Sequence, residues 1–107
     1  MEKRAFERVA VKLQARLFYG NMVYTGLVTN ISEKGMFICT KMQFPVHARL
    51  ITALKAGDFT YQLTIKIRRT VRPGSHPVCL EDAGLGVLLL NPPGEHIDFL
   101  TEARSSQ

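Results

Sequence analysis

The 107-residue chain lacks the sequence features that mark most enzymes. It has no phosphate-binding glycine loop, no paired carboxylates in an apolar run and no recognisable Ser/His/Asp set. Its two cysteines, Cys39 and Cys79, are far apart, without the close spacing or clustered histidines of a zinc or redox centre. We therefore expect no catalytic residue, no metal and no enzymatic activity. Cys39 is interpreted as a small core residue, and the scattered His47, His76 and His96 as surface residues.

Long apolar stretches are also missing. The longest runs, such as residues 85–90, fall far short of the roughly 20 residues that are needed to cross a bilayer. The N-terminus, MEKRAFER, is charged from its second residue and no apolar region follows, which is not typical of a secretory signal. We expect no membrane span and a cytoplasmic protein.

Acidic residues are scarce over most of the chain. Residues 1–80 contain 13 lysines and arginines against 4 acids, whereas residues 81–107 contain one arginine against 5 acids. The basic part favours an anionic partner, and on charge alone a nucleotide, a nucleic acid, a membrane surface or simply a solvated basic face remain open. Aromatic residues make up only 8%. This disfavours a nucleic-acid barrel that stacks bases on exposed rings such as Phe18 and Tyr24.

Alternation of apolar and polar residues predicts six strands. In the first strand Val9, Val11, Leu13, Ala15 and Leu17 share one face, and in the second Val23, Leu27 and Ile31 are in phase. The predicted strands cover residues 9–18, 23–31, 36–40, 48–55, 59–71 and 84–90. Arg69 interrupts the apolar phase of the fifth strand, which indicates a barrel rim or a β-bulge.

A short helix is predicted to follow the strands. Ile97, Leu100 and Ala103 recur at helical spacing after Pro92-Pro93-Gly94, over residues 94–103. The length of the chain is that of one domain, residues 1–107. Because an open sheet of six short strands would expose long edges, we expect an all-β fold: a six-stranded antiparallel β-barrel over residues 9–91 with a short C-terminal α-helix, preceded by a flexible segment at residues 1–8.

Two polar patterns stand out from this scaffold. Arg4 and Arg8 are four residues apart ahead of the first strand, and Asn30, Ser32 and Gly35 lie at the turn after the second. Arginine matches a phosphate or a guanine edge with two parallel hydrogen bonds, asparagine and serine supply donors and acceptors, and glycine permits close approach of the backbone. Each pattern alone is common local chemistry, but their joint occurrence indicates a ligand site.

The RxxxR element, followed about twenty residues later by [D/N]xSxxG, resembles the signature of the PilZ domain family. The resemblance extends to Gly84-Leu-Gly-Val87 and to the barrel with its C-terminal helix, so it covers essentially the whole chain. It implies a bacterial split β-barrel that binds cyclic di-GMP as a ligand rather than as a cofactor. It further implies a change of conformation on binding that regulates an effector protein.

The resemblance also implies roles for single residues. Arg4 and Arg8 would contact the guanine edges and phosphates of cyclic di-GMP, Asn30 and Ser32 would hydrogen-bond a guanine and its surroundings, and Gly35 would leave room for the ligand. The family often has aspartate where this chain has Asn30. This difference removes a carboxylate that could accept hydrogen bonds from guanine.

Further cations and two alternative functions complete the expectations. Lys3 matches a position that in the family influences whether one ligand or a stacked ligand dimer is bound. A positive field around the ligand could also come from Lys34, Arg68, Arg69 and Arg72, for which an ordinary basic barrel face is the alternative. The alternative functions are a PilZ-like protein-interaction adaptor that binds no nucleotide and a basic nucleic-acid-binding β-barrel.

Overall fold

The computed structural model of the chain describes residues 8–42, 44–71 and 84–105. The elements follow in the order β1 (Val9–Tyr19), β2 (Met22–Ile31), β3 (Gly35–Cys39), β4 (Arg49–Ala56), β5 (Phe59–Val71), β6 (Gly84–Leu90) and α1 (Gly94–Ser105). The strands close into an antiparallel barrel in the spatial order β1-β2-β3-β6-β5-β4. The predicted six-stranded barrel with a short C-terminal helix is therefore confirmed.

Two tight hairpin turns set the register of the barrel. Gly20 lies in the two-residue connection between β1 and β2, and Gly57 occupies the same place between β4 and β5. Their φ angles are +62° and +64°, a region that side chains rarely adopt. Glycine at these positions therefore lets each strand pair directly with the next.

The interior of the barrel is filled by the alternating apolar residues of its strands. In β5 the side chains of Tyr61, Leu63, Ile65 and Ile67 are all buried. The alternation ends at a register shift between Ile67 and Arg69, opposite β6. The bulge that Arg69 indicated in the sequence is thus confirmed.

The predicted phase of β2 is wrong in part. Val23 is 54% exposed and lies on the outside, whereas Val28 and Ile31 are completely buried. These two buried residues are three apart, so strict alternation cannot place both inside. A register shift opposite β3, between Val28 and Asn30, supplies the extra residue that brings both into the core.

Helix α1 covers the end of the barrel at which β1 begins. Leu100 is fully buried in the barrel core, and Phe99 and Ala103 pack against it. Ile97, which the spacing placed on the apolar face, is 39% exposed, and His96 is fully buried in its place. The expectation that His96 lies at the surface is therefore wrong, because it precedes Leu100 by one helical turn on the same face.

An aromatic cluster fills the opposite end of the barrel. The ring of Phe44 meets Tyr19 at 5.4 Å and Tyr24 at 5.3 Å between ring centroids, both edge to face. Tyr24 and Phe18 are only partly exposed. The ring of Tyr24 is thus packed against Phe44, and neither residue is fully exposed.

A second, smaller hydrophobic cluster lies on the outside of the barrel. Phe37 and Cys39 are buried there, with Leu27 and Val71 packed against them. Cys39 is disulfide-bonded. The expected burial of this residue is confirmed, but its sulfur is part of a disulfide and is not a free core thiol.

Candidate functional site

The turn between β2 and β3 is held together by Ser32. Its Oγ accepts hydrogen bonds from the backbone N–H groups of Gly35, at 3.1 Å, and Lys34, at 3.4 Å, and lies 3.3 Å from the Gly35 carbonyl oxygen. The Ser32 N–H donates to the same carbonyl oxygen at 2.8 Å. Ser32 is 5% exposed. Its hydroxyl is therefore used mainly to shape the turn.

Gly35 allows two strands to approach each other at this turn. A β-carbon on Gly35 would lie 3.0 Å from the carbonyl oxygen of Val87 in β6, which is tighter than ordinary contact. The neighbouring Lys34 carbonyl accepts a hydrogen bond from the Leu89 N–H at 2.8 Å. The close approach of β3 and β6 therefore accounts for a glycine at position 35, and the room that it would leave for a ligand stays a prediction.

Arg8 and Asn30 meet beside this turn. Arg8 Nη1 donates to Asn30 Oδ1 across 2.6 Å, although the residues are 22 positions apart. The contact follows from the pairing of β1 with β2, which places Ala10 opposite Asn30. It brings one member of each predicted motif together at the same end of the barrel.

A row of residues crosses the outer face from this pair. Successive strand pairings place Asn30 opposite Phe37, Phe37 opposite Gly86, and Gly86 opposite Arg69. The Arg69 side chain lies over Gly86, with Nε only 2.9 Å from where a β-carbon would stand. At about 4.8 Å between strands, the row extends roughly 14 Å from Asn30 to Arg69. Arg8 and Arg69 therefore place positive charge near the two ends of this row.

A buried histidine lies directly beneath the turn. His96 Nε2 is 2.8 Å from the Ser32 carbonyl oxygen, and His96 Nδ1 is 3.0 Å from the hydroxyl of Tyr61. Burial lowers the pKa of His96, while the hydrogen bond to Ser32 and the nearby charge of Glu33 act in the opposite direction. Burial, aided by the charge of Glu95, raises the pKa of Tyr61. Both groups are therefore neutral near pH 7.

The structure brings together most of the residues that the sequence selected. Around the turn at the helix-covered end of the barrel lie Arg8, Asn30, Ser32, Lys34 and Gly35. Lys3 and Arg4 are outside the described residues, as is Arg72. The assignment of all these residues to ligand binding stays a prediction.

Two residues of the site were not selected from the sequence. The sequence predicts a surface position for His96 and marks Gly86 only as part of a glycine-containing strand. The signal for His96 was its position one turn before Leu100, since an i, i+4 pair shares a helix face. For Gly86, only the register between β5 and β6 shows that Arg69 lies across it.

An open groove of about 1160 Å³ lies farther along the outer face, toward the end of β1. Its lining includes Arg16, Lys41 and Lys55, together with apolar side chains such as Val23 and Met42. It does not include Arg8 or Asn30. The groove is therefore a separate basic surface from the turn.

Among residues 8–42, 44–71 and 84–105, no three histidine, cysteine or acidic side chains are grouped closely enough to hold a metal ion. Within the same part of the chain, no helix has the length and apolar character that a membrane crossing requires.

The barrel, its covering helix and the arginine–asparagine pair beside a Ser–Gly turn define a small β-barrel domain of the PilZ type. The sequence matches the PilZ domain family over residues 2–102, and the chain belongs to this family. PilZ domains typically act as receptors or adaptors rather than as enzymes. A search among curated proteins finds no match.

Two solved structures share this fold. One is the Bacillus subtilis inhibitor of motility, MotI/DgrA, with a TM-score of 0.76 and 17% identity, covering 100% of this chain and 52% of the other. The chain thus spans about half the length of MotI/DgrA. The other is the PilZ domain of YcgR from Escherichia coli with c-di-GMP, with a TM-score of 0.66 and 14% identity, covering 98% and 97%. At these identities the likeness concerns the fold.

Proposed function

We propose that the chain is a receptor for cyclic di-GMP. The observation that carries this proposal is the contact between Arg8 and Asn30 beside the Ser32–Gly35 turn. It joins the two elements of the PilZ signature at one end of the barrel, on the outer face. The PilZ domain of YcgR, which has c-di-GMP bound in its structure, has the same fold.

The row from Asn30 to Arg69 on the outer face is the proposed binding surface for a dianionic nucleotide with two guanines. Arg4 and Arg8 supply planar donors for guanine edges and phosphates, and Asn30 supplies an amide for guanine. Ser32 acts chiefly by holding the turn, since its hydroxyl already bonds within it. Arg69, at the other end of the row, adds a second positive charge. Lys3 and Lys34 are assigned to the same positive field.

The proposed output is a change of conformation and not a reaction. Cyclic di-GMP acts as a ligand, and binding draws Arg4 to the Arg8–Asn30 pair that already lies beside the turn. The changed surface then alters contact with an effector protein in the cytoplasm. MotI/DgrA, which shares the fold over about half its length, is an inhibitor of motility, and this supports a regulatory role for the chain.

Calorimetric titration of the purified chain with cyclic di-GMP tests the proposal directly. Arg8→Ala should weaken binding by about 1–3 kcal/mol, the usual value of a bidentate contact to guanine. Arg49→Ala, which removes an exposed arginine of β4, is the matched control for loss of one positive charge. Equal affinities of the two variants would contradict the role of Arg8.

The same titration separates the alternatives. A flat titration at high micromolar nucleotide would overturn the receptor proposal and favour an adaptor that works through protein contacts alone. Steeply salt-dependent binding of single-stranded RNA or DNA, with no response to cyclic di-GMP, would favour the basic nucleic-acid-binding barrel.

A further inference from the structure

The imidazole of His96 joins three parts of the molecule. The residue belongs to α1, its Nε2 meets the carbonyl oxygen of Ser32 in the β2–β3 turn, and its Nδ1 meets the hydroxyl of Tyr61 in β5. Its side chain is completely buried. We propose that His96 is a positioning residue that fixes the nucleotide-binding turn to α1, so that helix docking and nucleotide affinity depend on each other. The second half of this inference rests on the proposed receptor function.

The hydrogen bonds of His96 define a single arrangement. The Ser32 carbonyl can only accept, so Nε2 must carry the proton and donate to it. Nδ1 then has a free lone pair, and the neutral phenol of Tyr61 donates to it. Both ring nitrogens are thus satisfied in a site without water contact. Moving the ring would leave buried polar groups unpaired, which resists displacement.

Ser32 connects this arrangement to the ligand-binding end of the turn. Its carbonyl bonds to His96, while its N–H and hydroxyl bond within the turn that ends at Gly35. Asn30, which accepts from Arg8, is only two residues away. A ligand that shifts Asn30 and Ser32 therefore acts on His96 through one short and rigid stretch of backbone.

A hydrogen bond between backbone groups also holds the turn, in addition to the side chain of His96. The Lys34 carbonyl accepts from the N–H of Leu89, near the end of β6 and five residues before α1 begins. Leu100, one turn after His96, anchors the helix in the core. The turn is thus linked to α1 through His96 and to β6 through the Lys34 carbonyl, and the contact through His96 is the one that a side-chain substitution can remove.

Hydrogen exchange in the ligand-free protein tests the first half of the proposal. His96→Leu keeps most of the volume but removes both polar atoms, so the amides of Lys34 and Gly35 and those of α1 should exchange about 10-fold faster. Amides of the β4–β5 hairpin should be unchanged. His96→Gln, which retains a donor for the Ser32 carbonyl, should restore most of the protection. Unchanged turn amides, or equal acceleration throughout the barrel, would overturn the connection.

Titration with cyclic di-GMP tests the second half. His96→Leu should weaken binding about 5- to 30-fold, in the usual range of coupling between sites, and His96→Gln by less than about threefold. Ile97→Gln, an exposed neighbour on α1, is the control. Normal affinity in His96→Leu would show that the nucleotide does not sense the connection. Failure of the unaltered protein to bind would overturn both the receptor function and the coupling to nucleotide, and the exchange result would still decide the connection itself.

A variant that keeps the imidazole guards against misfolding. Tyr61→Phe removes only the hydroxyl that donates to His96 Nδ1. Hydrogen exchange at the turn and at α1 should become faster in this variant too, but by less than in His96→Leu. If this variant and His96→Leu both leave the turn amides protected, His96 is a packing residue and nothing more.

Discussion

Arg8 Nη1 donates to Asn30 Oδ1 across 2.6 Å, so the oxygen of the asparagine is already engaged by the arginine. Asn30 has one side-chain oxygen and one amide group, whereas an aspartate would present two acceptor oxygens. With asparagine, the arginine and a guanine must share one neutral oxygen. If the proposed receptor function holds, residue 30 is therefore expected to tune the affinity for a guanine ligand.

Asn30→Asp should therefore tighten binding of cyclic di-GMP. The carboxylate can accept from Arg8 and from guanine at the same time, and a hydrogen bond to a charged group exceeds a neutral one by about 1 kcal/mol. We expect about fivefold higher affinity in a calorimetric titration.

Asn21→Asp is the control for the added negative charge, since Asn21 is exposed in the turn between β1 and β2. It should leave the affinity unchanged. Weaker binding by Asn30→Asp would show that repulsion between the carboxylate and the phosphates dominates, and the proposed contact between residue 30 and guanine would be wrong.

The strands with the strongest patterns were predictable from the sequence. Phe59–Val71 has the expected bounds because apolar and polar residues alternate over most of its length, and Gly84–Leu90 has them because it is an apolar run that ends at flanking turn residues. In β2 the pattern failed at the bulge near Thr29. One inserted residue reverses which face every later side chain occupies, and no residue type announces it.

Of the candidate site, only the motif residues could be predicted from the sequence. That Arg8 and Asn30 belong to one site followed from the resemblance, but their direct contact depends on strand register. The burial of His96 depends on how α1 lies against the barrel. The spacing of His96 to Leu100 competes with that of Ile97 to Leu100, and a weakly amphipathic helix does not decide between them, because a histidine is compatible with both faces.

Gly84→Ala should destabilise the barrel. A β-carbon on Gly84 would overlap the ring of Phe37, which is buried in the outer cluster and cannot easily move. We expect the free energy of unfolding to fall by about 1–3 kcal/mol, the usual cost of overpacking, as measured by urea denaturation.

Gly86→Ala is the matched control in the same strand. The three atoms nearest to its β-carbon would all belong to the exposed Arg69 side chain, which can swing away, so the stability should change by less than about 0.5 kcal/mol. Equal effects of the two substitutions would contradict the close contact of Gly84 with Phe37. A loss of nucleotide affinity in Gly86→Ala alone would support a role for Arg69.

Thr52→Val should stabilise the protein. Thr52 is fully buried in β4, and within the described residues its hydroxyl has no hydrogen-bond partner. Valine has nearly the same shape without the unpaired polar atom, so we expect a gain of about 1 kcal/mol. A domain of this size should then melt about 4–8 °C higher.

Thr60→Val provides the comparison, because Thr60 is exposed near the start of β5. Its melting temperature should stay within about 2 °C of the unaltered protein. A lower melting temperature for Thr52→Val would show that its hydroxyl is satisfied in solution.

The burial of His96 should make the protein less stable in mild acid. Burial lowers its pKa below the ordinary value of about 6.5, so the unfolded chain takes up the proton at a higher pH than the folded one. The stability is therefore fully present above about pH 6.5 and decreases as the pH falls toward the pKa of the folded state, with a slope of at most about 1.4 kcal/mol per pH unit. The groups that face the ring do not reverse this sign: Tyr61 stays neutral, and the attraction of Glu33 only opposes the dominant effect of burial.

Urea denaturation of the unaltered protein and His96→Gln at about pH 7.5 and about pH 5.5 measures this contribution. The difference in the free energy of unfolding between the two pH values should be smaller in His96→Gln, which cannot take up a proton. His47→Gln, at an exposed position, should retain the full difference. If His96→Gln and the unaltered protein lose the same stability in acid, the proton that destabilises the fold binds elsewhere, and His96 does not remain neutral in the folded state.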